Sequence, residues 1–175
     1  YTLSLHDALP IYYNGSYYCY FGSAPVLTFY LPYYRLTDFV PTMPMACTFF
    51  GFWAAFFLCE TILAAVHLTV PRPNLLLLLL CMGGAVSAVG IYNEANLSLR
   101  YNVVVLSGLC YLFLCLWTGL AALRIQKRGA RYALLAVSGL SLSLTAASRP
   151  DLALEGAVLI PFFVGILRDK HQSMQ

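Results

Sequence analysis

The chain has 175 residues, of which 61% are hydrophobic and only 10% are charged. A soluble domain carries about 25% charged residues, so this chain has too few charges to cover a water-facing surface. The formal net charge is only +3 and the basic residues are dispersed, which excludes nucleic acid as a partner. The composition therefore predicts a membrane protein whose first partner is the lipid bilayer.

The first eleven residues, YTLSLHDALPI, resemble a translated sequencing-adapter read. We expect residues 1–11 to be an artefact or disordered, so Asp7 receives no role. The alternative is a native, short amphipathic segment. Under both interpretations, we expect the true start of the protein to lie upstream.

A tyrosine-rich stretch follows at residues 12–32. Tyrosine combines an apolar ring with a polar hydroxyl, so a dense group of tyrosines is typical of the level where hydrocarbon meets water. The apolar residues 24–36 within and after it are too short to span a bilayer and contain Pro25, Pro32 and Arg35. We expect this segment to be an interfacial or partly inserted element.

Five apolar runs are long enough, or nearly so, to cross a bilayer, which takes roughly 20 helical residues. They cover residues 44–68, 74–92, 101–123, 130–147 and 152–167. The sequence thus predicts an all-α, polytopic membrane helix bundle over residues 41–168. Residues 12–40 form an extracytoplasmic loop with an interfacial helix, and residues 169–175 form a cytoplasmic tail that we expect to be truncated.

The basic residues predict the orientation in a cell (inner) membrane. The linker RIQKRGAR supplies Arg124, Lys127, Arg128 and Arg131, and positive charge favours the cytoplasmic side. Residues 12–40 then lie outside. This assignment requires that residues 24–36 do not cross, because a sixth span moves the tyrosine-rich stretch to the cytoplasm.

Small residues predict close helix packing in two of the spans. One side of the second span is small because of Gly83, Gly84, Ser87, Ala88 and Gly90. Gly139, Ser141 and Ser143 do the same in the fourth. These positions predict a tight bundle and no ligand.

Two segments resemble parts of GT-C glycosyltransferases, the superfamily that includes aminoarabinose transferases and protein O-mannosyltransferases. Residues 20–27, YFGSAPVL, and the following FYLP at 29–32 resemble the juxtamembrane part of the first extracytoplasmic loop. Pro25 and Leu27 match its core, whereas the usual lysine and second proline are missing. The joint of the last two predicted spans fits the family's turn through Ser148, Arg149, Pro150 and Pro161.

The resemblance implies transfer of a sugar from a polyprenyl-phosphate carrier, as a further partner, to an extracytoplasmic acceptor. The family's catalytic base is an acidic residue early in that loop. We expect it upstream of Tyr12, so no catalytic residue is assigned in this chain. The sequence contains no Walker, Rossmann or zinc pattern, no metal ligands are assigned, and the cofactor is unknown. The alternative is a non-enzymatic polytopic protein, either a transporter subunit or an accessory membrane component.

Three charged residues near the last joint are the candidates for substrate or phosphate binding. Arg149 can bind phosphate bidentately, or it can be an interfacial anchor that caps the preceding helix and pairs with Asp151. Asp151 and Glu155 lie four residues apart on one helix face. Glu155 follows about one turn into an apolar segment, where carboxylates usually face protein or water.

Overall fold

The computed structural model describes residues 11–13, 16–18, 22–70, 73–97 and 100–156. Strands β1 (Ile11–Tyr13) and β2 (Ser16–Tyr18) form an antiparallel hairpin, which the tyrosine-rich sequence did not predict. The rest is mainly helical, which confirms the predicted class. A π-helical turn, Val26–Tyr30, leads into α1 (Leu31–Thr37), and then come α2 (Met43–Thr69), α3 (Leu75–Ala88), α4 (Ile91–Leu97), α5 (Arg100–Arg124), α6 (Arg128–Ser148) and α7 (Pro150–Glu155).

Three helices are long and apolar enough to cross a membrane. They are α2, α5 and α6, with mean hydropathies of 1.9, 2.1 and 1.3 over their most apolar windows. Their positions agree with the first, third and fourth predicted spans. A fourth span results if α3 and α4 together cross once. The predicted fifth span, residues 152–167, lies mostly outside the described residues, so a count of five is not confirmed.

The second predicted span is bent. Helices α3 and α4 meet at an angle of 41°, and Gly90 in the break has a φ of +76°. That left-handed conformation ends a helix and strains any residue with a side chain. A single straight helix over residues 74–92 is therefore the wrong description of this region.

Helix α5 is the centre of the bundle. Within its most apolar window 78% is buried, against 28% for α2 and 17% for α6. One side of α5 packs on a helical stripe of α2 made of Ala46, Cys47, Phe50, Ala54 and Leu58. Thr61 of α2 also donates a hydrogen bond to the Phe113 carbonyl of α5 at 3.2 Å. Among the described helices, α5 is the one packed between two long neighbours, α2 and α6.

The seam between α5 and α6 consists of small, hydroxyl-bearing residues. Those buried on α6 follow a spacing of three and four, as one helix face requires: Ser138, Ser141, Thr145 and Ser148. Ser138 Oγ donates to the Cys115 carbonyl at 3.0 Å. Such residues let two helices approach closely and hydrogen-bond across an apolar seam.

Two of the packing predictions are wrong in detail. Ser141 is buried as predicted, but Ser143 is exposed, and a Cβ on Gly139 would meet nothing within 4 Å. Gly83 and Gly84 are equally open in the described part of the chain. Their small size therefore does not reflect contact with another helix among these residues.

The segment ahead of α2 lies against the bundle. Thr28 Oγ1 hydrogen-bonds with the hydroxyl of Tyr111 on α5, and Phe29 stacks on Phe49 of α2 with ring centroids 4.6 Å apart. The helical residues 24–37 are fewer than the roughly 20 that a span needs. Beside the stacked rings lies an apolar groove of 640 Å³ lined by Phe29, Tyr33, Pro44, Met45, Thr48 and Phe49.

Candidate functional site

A single residue in extended conformation, Arg149, separates α6 from α7. Arg149 has φ −145° and ψ 107°, which ends α6, and Pro150 starts α7. A residue before proline is disfavoured in the α conformation, while proline itself fits the first turn of a helix. The dipeptide therefore fixes the break between α6 and α7.

The guanidinium of Arg149 contacts two residues. Its Nε donates to Asp151 Oδ1 at 3.0 Å, and its Nη2 pairs with Asp151 Oδ2. Its Nη1 donates to the hydroxyl of Tyr101 on α5 at 2.7 Å. The Cζ atom also lies 5.4 Å from the centroid of the Tyr101 ring, within cation–π range. The pairing with Asp151 is the one that the interpretation of Arg149 as an interfacial anchor predicts, although Arg149 makes no side-chain capping hydrogen bond to α7.

This pairing shifts the pKa values of both partners. The hydrogen bonds from Arg149 lower the pKa of Asp151 below its ordinary value of 3.8. The hydrogen bonds to Asp151 raise the pKa of Arg149 further, against the opposing effect of burial. Both groups are charged at neutral pH. The Arg149 side chain is 26% exposed and that of Asp151 57% exposed, so solvent reaches the pair.

Two glycines allow separate parts of the chain to meet at this joint. A Cβ on Gly108 of α5 would lie 2.8 Å from Leu152 Cδ1 and 3.6 Å from Arg149 Cβ. A Cβ on Gly22 would overlap the carbonyl oxygens of Ala147 and Ser148, and would lie 2.6 Å from Ser148 Cα. Only a residue without a side chain fits at Gly22. The tyrosine-rich stretch therefore reaches the end of α6 directly.

Two buried hydroxyl groups also connect α5 and α6 next to this joint. Ser107 Oγ of α5 donates to Ser148 Oγ at 3.2 Å, and both side chains are buried. We call this region, made of Gly22, Tyr101, Gly108, Arg149 and Asp151, the joint site. Sequence reasoning identified its two charged members. It missed Tyr101 and the two glycines, because only the tertiary packing of α5 brings them near.

Asp151 and Glu155, four residues apart in the sequence, have no common partner among the described residues. Asp151 faces Arg149, whereas the Glu155 side chain is exposed and forms no hydrogen bond or ion pair in the described part of the chain. Residues 157–175, which follow α7, lie outside that part. The cavity-lining role of Glu155 stays a prediction.

The described residues contain no preformed set of metal ligands. Those ranges contain no group of three or more His, Cys, Asp or Glu side chains placed to hold an ion. What the joint site offers is one guanidinium, one carboxylate and one phenol. The guanidinium and the phenol can donate hydrogen bonds to an anion, whereas the Asp151 carboxylate only accepts them and offsets the charge of Arg149.

No family model, no curated protein and no solved structure matches this chain. The glycosyltransferase resemblance of residues 20–32 and of the Arg149 joint therefore stays a prediction. The case for a function depends on the geometry of the joint site.

Proposed function

We propose that this chain is part of an integral membrane glycosyltransferase of the GT-C type. The enzyme transfers a sugar from a polyprenyl-phosphate carrier to an acceptor on the extracytoplasmic side of a cell (inner) membrane. Under this proposal the joint site faces the outside and the linker 124–131 faces the cytoplasm. The resemblance implies that the base is a carboxylate early in the first extracytoplasmic loop, and no residue of this chain is assigned to that role.

One contact carries the proposal. The two segments that resemble the family lie near opposite ends of the sequence, and the resemblance of each depends on its own residues alone. Gly22 of the first segment packs on the backbone of Ala147 and Ser148, immediately before Arg149 of the second. A shared site requires such proximity, so this contact supports the proposal.

The hydrogen-bonding capacity of Arg149 supports a phosphate role. A guanidinium has five N–H donors, and three of them serve Asp151 and Tyr101. The remaining two are on the terminal nitrogens, and the group is partly open to solvent. Asp151 and Tyr101 fix the plane of the guanidinium, which lowers the entropy lost when it binds a phosphate bidentately.

In the proposed reaction, the acceptor oxygen or nitrogen attacks the anomeric carbon of the sugar. The carrier phosphate leaves with the electron pair of the broken C–O bond, and the carboxylate base takes the acceptor proton. Arg149 stabilises the negative charge that grows on the departing phosphate. Asp151 is a positioning residue for the guanidinium.

The test is sugar transfer by the intact protein in membranes, using a polyprenyl-phosphate-linked sugar. We expect Arg149→Ala to lower kcat/KM by about 10²–10³-fold, the usual effect of losing a group that stabilises transition-state charge. Arg149→Lys should restore only a small part, because lysine cannot bind bidentately. The matched control is Arg35→Ala, since Arg35 is exposed on α1. Unchanged transfer by a folded Arg149→Ala protein contradicts the proposal.

The bent pair α3–α4 favours a second candidate, a transporter subunit or accessory membrane component. Discontinuous helices are typical of transporters, where they surround the substrate near the bilayer midplane. Here α3 has 14 residues before the break, about 21 Å of helix, so in a hydrocarbon core of about 30 Å the bend lies beyond the midplane but closer to it than to the surface. Solute uptake without sugar transfer, lost in Gly90→Ala because of its positive φ, would support this alternative.

A further inference from the structure

The opposite end of the α5–α6 hairpin concentrates positive charge. Helix α5 ends at Arg124, and α6 begins at Arg128. Together with Lys127 and Arg131 these side chains form what we call the basic end. The sequence contains no acidic residue between Glu94 and Asp151, and no salt bridge involves the basic end in the described part of the chain.

The position of these cations opposes the stability of α6. Lys127 is the N-cap residue and makes no capping hydrogen bond, and the first turn contains no acidic residue. A helix N-terminus carries partial positive charge and leaves backbone N–H groups without partners. Cations are therefore repelled there, whereas an anion is attracted both by the helix end and by the side chains.

Arg131 adds a polar group without an internal acceptor. Its Nε is buried and donates no hydrogen bond to any described residue, although the side chain as a whole is half-buried. Leaving a buried donor unpaired is costly, more so for a charged group. Its guanidinium thus has one face in the protein and no carboxylate to balance its charge.

The depth of the basic end indicates the source of the anion. Its residues flank the ends of two helices long and apolar enough to span a membrane, so they lie at the level of the lipid headgroups. Tyr132, next to Arg131, is 55% exposed, and exposed tyrosines are enriched at that level. Phosphate groups of the surrounding lipids are therefore the anions nearest to these four cations.

We propose that the basic end binds the headgroup phosphates of anionic phospholipids, preferring them over zwitterionic lipids. Charge complementarity is the basis of the preference, and each basic side chain near an anionic surface contributes about fivefold in affinity. The lipid also supplies the counter-charge that the α6 N-terminus lacks. This binding does not depend on glycosyl transfer and goes beyond it.

The test compares lipids on the purified full-length protein in a neutral detergent. Phosphatidylglycerol and phosphatidylcholine of equal chain length are titrated, and bound lipid is counted by native mass spectrometry. We expect the wild type to bind phosphatidylglycerol at least tenfold more tightly. Equal affinities for the two lipids would overturn the proposal.

Variants connect the preference to the basic end. Replacing Arg124, Lys127, Arg128 and Arg131 together by Gln should bring the two affinities close to parity, whereas Arg35→Gln should leave the preference intact. The double variant Lys127→Gln/Arg128→Gln changes only exposed side chains and should lower the preference several-fold, even if the fourfold variant fails to fold. An undiminished preference in the double variant contradicts the proposal.

A third arm separates lipid phosphate from free phosphate. Inorganic phosphate at millimolar concentration should neither displace phosphatidylglycerol nor raise the midpoint of thermal unfolding as the lipid does. If it does both to the same degree, the site belongs to a soluble anion and the lipid assignment is wrong.

Discussion

The positive charges at the two ends of the α5–α6 hairpin differ in whether they have partners within the chain. At the joint site, Arg149 has a carboxylate and a phenol from the same chain as partners. At the basic end, Arg124, Lys127, Arg128 and Arg131 form no salt bridge within the described residues. The charge of Arg149 is balanced by Asp151. The four charges of the basic end have no such partner among the described residues.

The difference shows how a few charges are used in a very apolar chain. A cation with an internal partner is held in one orientation, which suits recognition of a defined ligand. Cations without partners keep their conformational freedom, and their binding depends on the average charge of the membrane surface around them. The joint site is therefore the place to look for specificity, and the basic end the place to look for dependence on lipid composition.

The largest expected effect comes from closing the space at the joint site. Gly22→Ala places a methyl group onto the carbonyl oxygens of Ala147 and Ser148, and backbone atoms cannot move aside as a flexible side chain can. We expect a loss of about 1–3 kcal/mol in the free energy of unfolding, as for other overpacked sites. Unfolding in mixed detergent micelles measures it.

The same substitution at Gly139 is the matched control. Nothing lies within 4 Å of a Cβ there, and alanine is preferred to glycine inside a helix by roughly 0.5–1 kcal/mol. Gly139→Ala should therefore raise stability. Equal effects of the two substitutions would mean that Gly22 does not touch α6.

A smaller effect should come from improving the basic end. Lys127→Ser gives α6 an N-cap residue that accepts a backbone hydrogen bond and removes one repelled cation. Serine caps stabilise helices by about 0.5–2 kcal/mol relative to residues that cannot cap. We expect a gain in that range in neutral detergent.

Gln126→Ser, one residue before the cap and exposed, is the control and should change little. The gain in stability from Lys127→Ser should be smaller in phosphatidylglycerol, because there the lysine also binds the lipid phosphate. A gain that is the same in both lipids would separate capping from lipid binding.

The smallest expected effect is the pH dependence of the Arg149–Asp151 pair. Because Arg149 lowers the pKa of Asp151 below 3.8, the pair stabilises the folded state above that ordinary value. The contribution is lost as the pH falls through the lowered value. An exposed pair of this kind contributes less than about 1 kcal/mol.

Thermal unfolding of the wild type and of Asp151→Asn, followed from neutral to acidic pH, measures this contribution. The offset between the two midpoints should stay constant down to about pH 5 and shrink as the pH falls below 3.8 and through the lowered pKa of Asp151. An offset that already changes near neutral pH would assign the effect to a group other than Asp151.

The sequence predicted those parts of the fold that depend on local pattern. Apolar runs of sufficient length gave α2, α5 and α6 within one or two residues, because length and hydropathy are properties of each segment alone. The bend at Gly90 was missed, since a glycine in an apolar run is compatible both with a packed helix and with a break.

Prediction of the site was limited for a similar reason. Arg149 and Asp151 are two positions apart, so their pairing follows from local geometry. Tyr101 lies 48 residues from Arg149, and Gly22 is farther still. Such contacts depend on how α5 packs between its neighbours, and no periodicity within one segment encodes that.

The central position of α5 has a consequence for the order of assembly during synthesis. Its first partner, α2, precedes it in the chain, while its second partner, α6, follows it. The hydroxyl of Ser107 meets that of Ser148, 41 residues later. As the chain emerges, one side of α5 therefore stays open until the end of α6 has been made, and a chain truncated in the 124–131 linker would leave that side to the lipid.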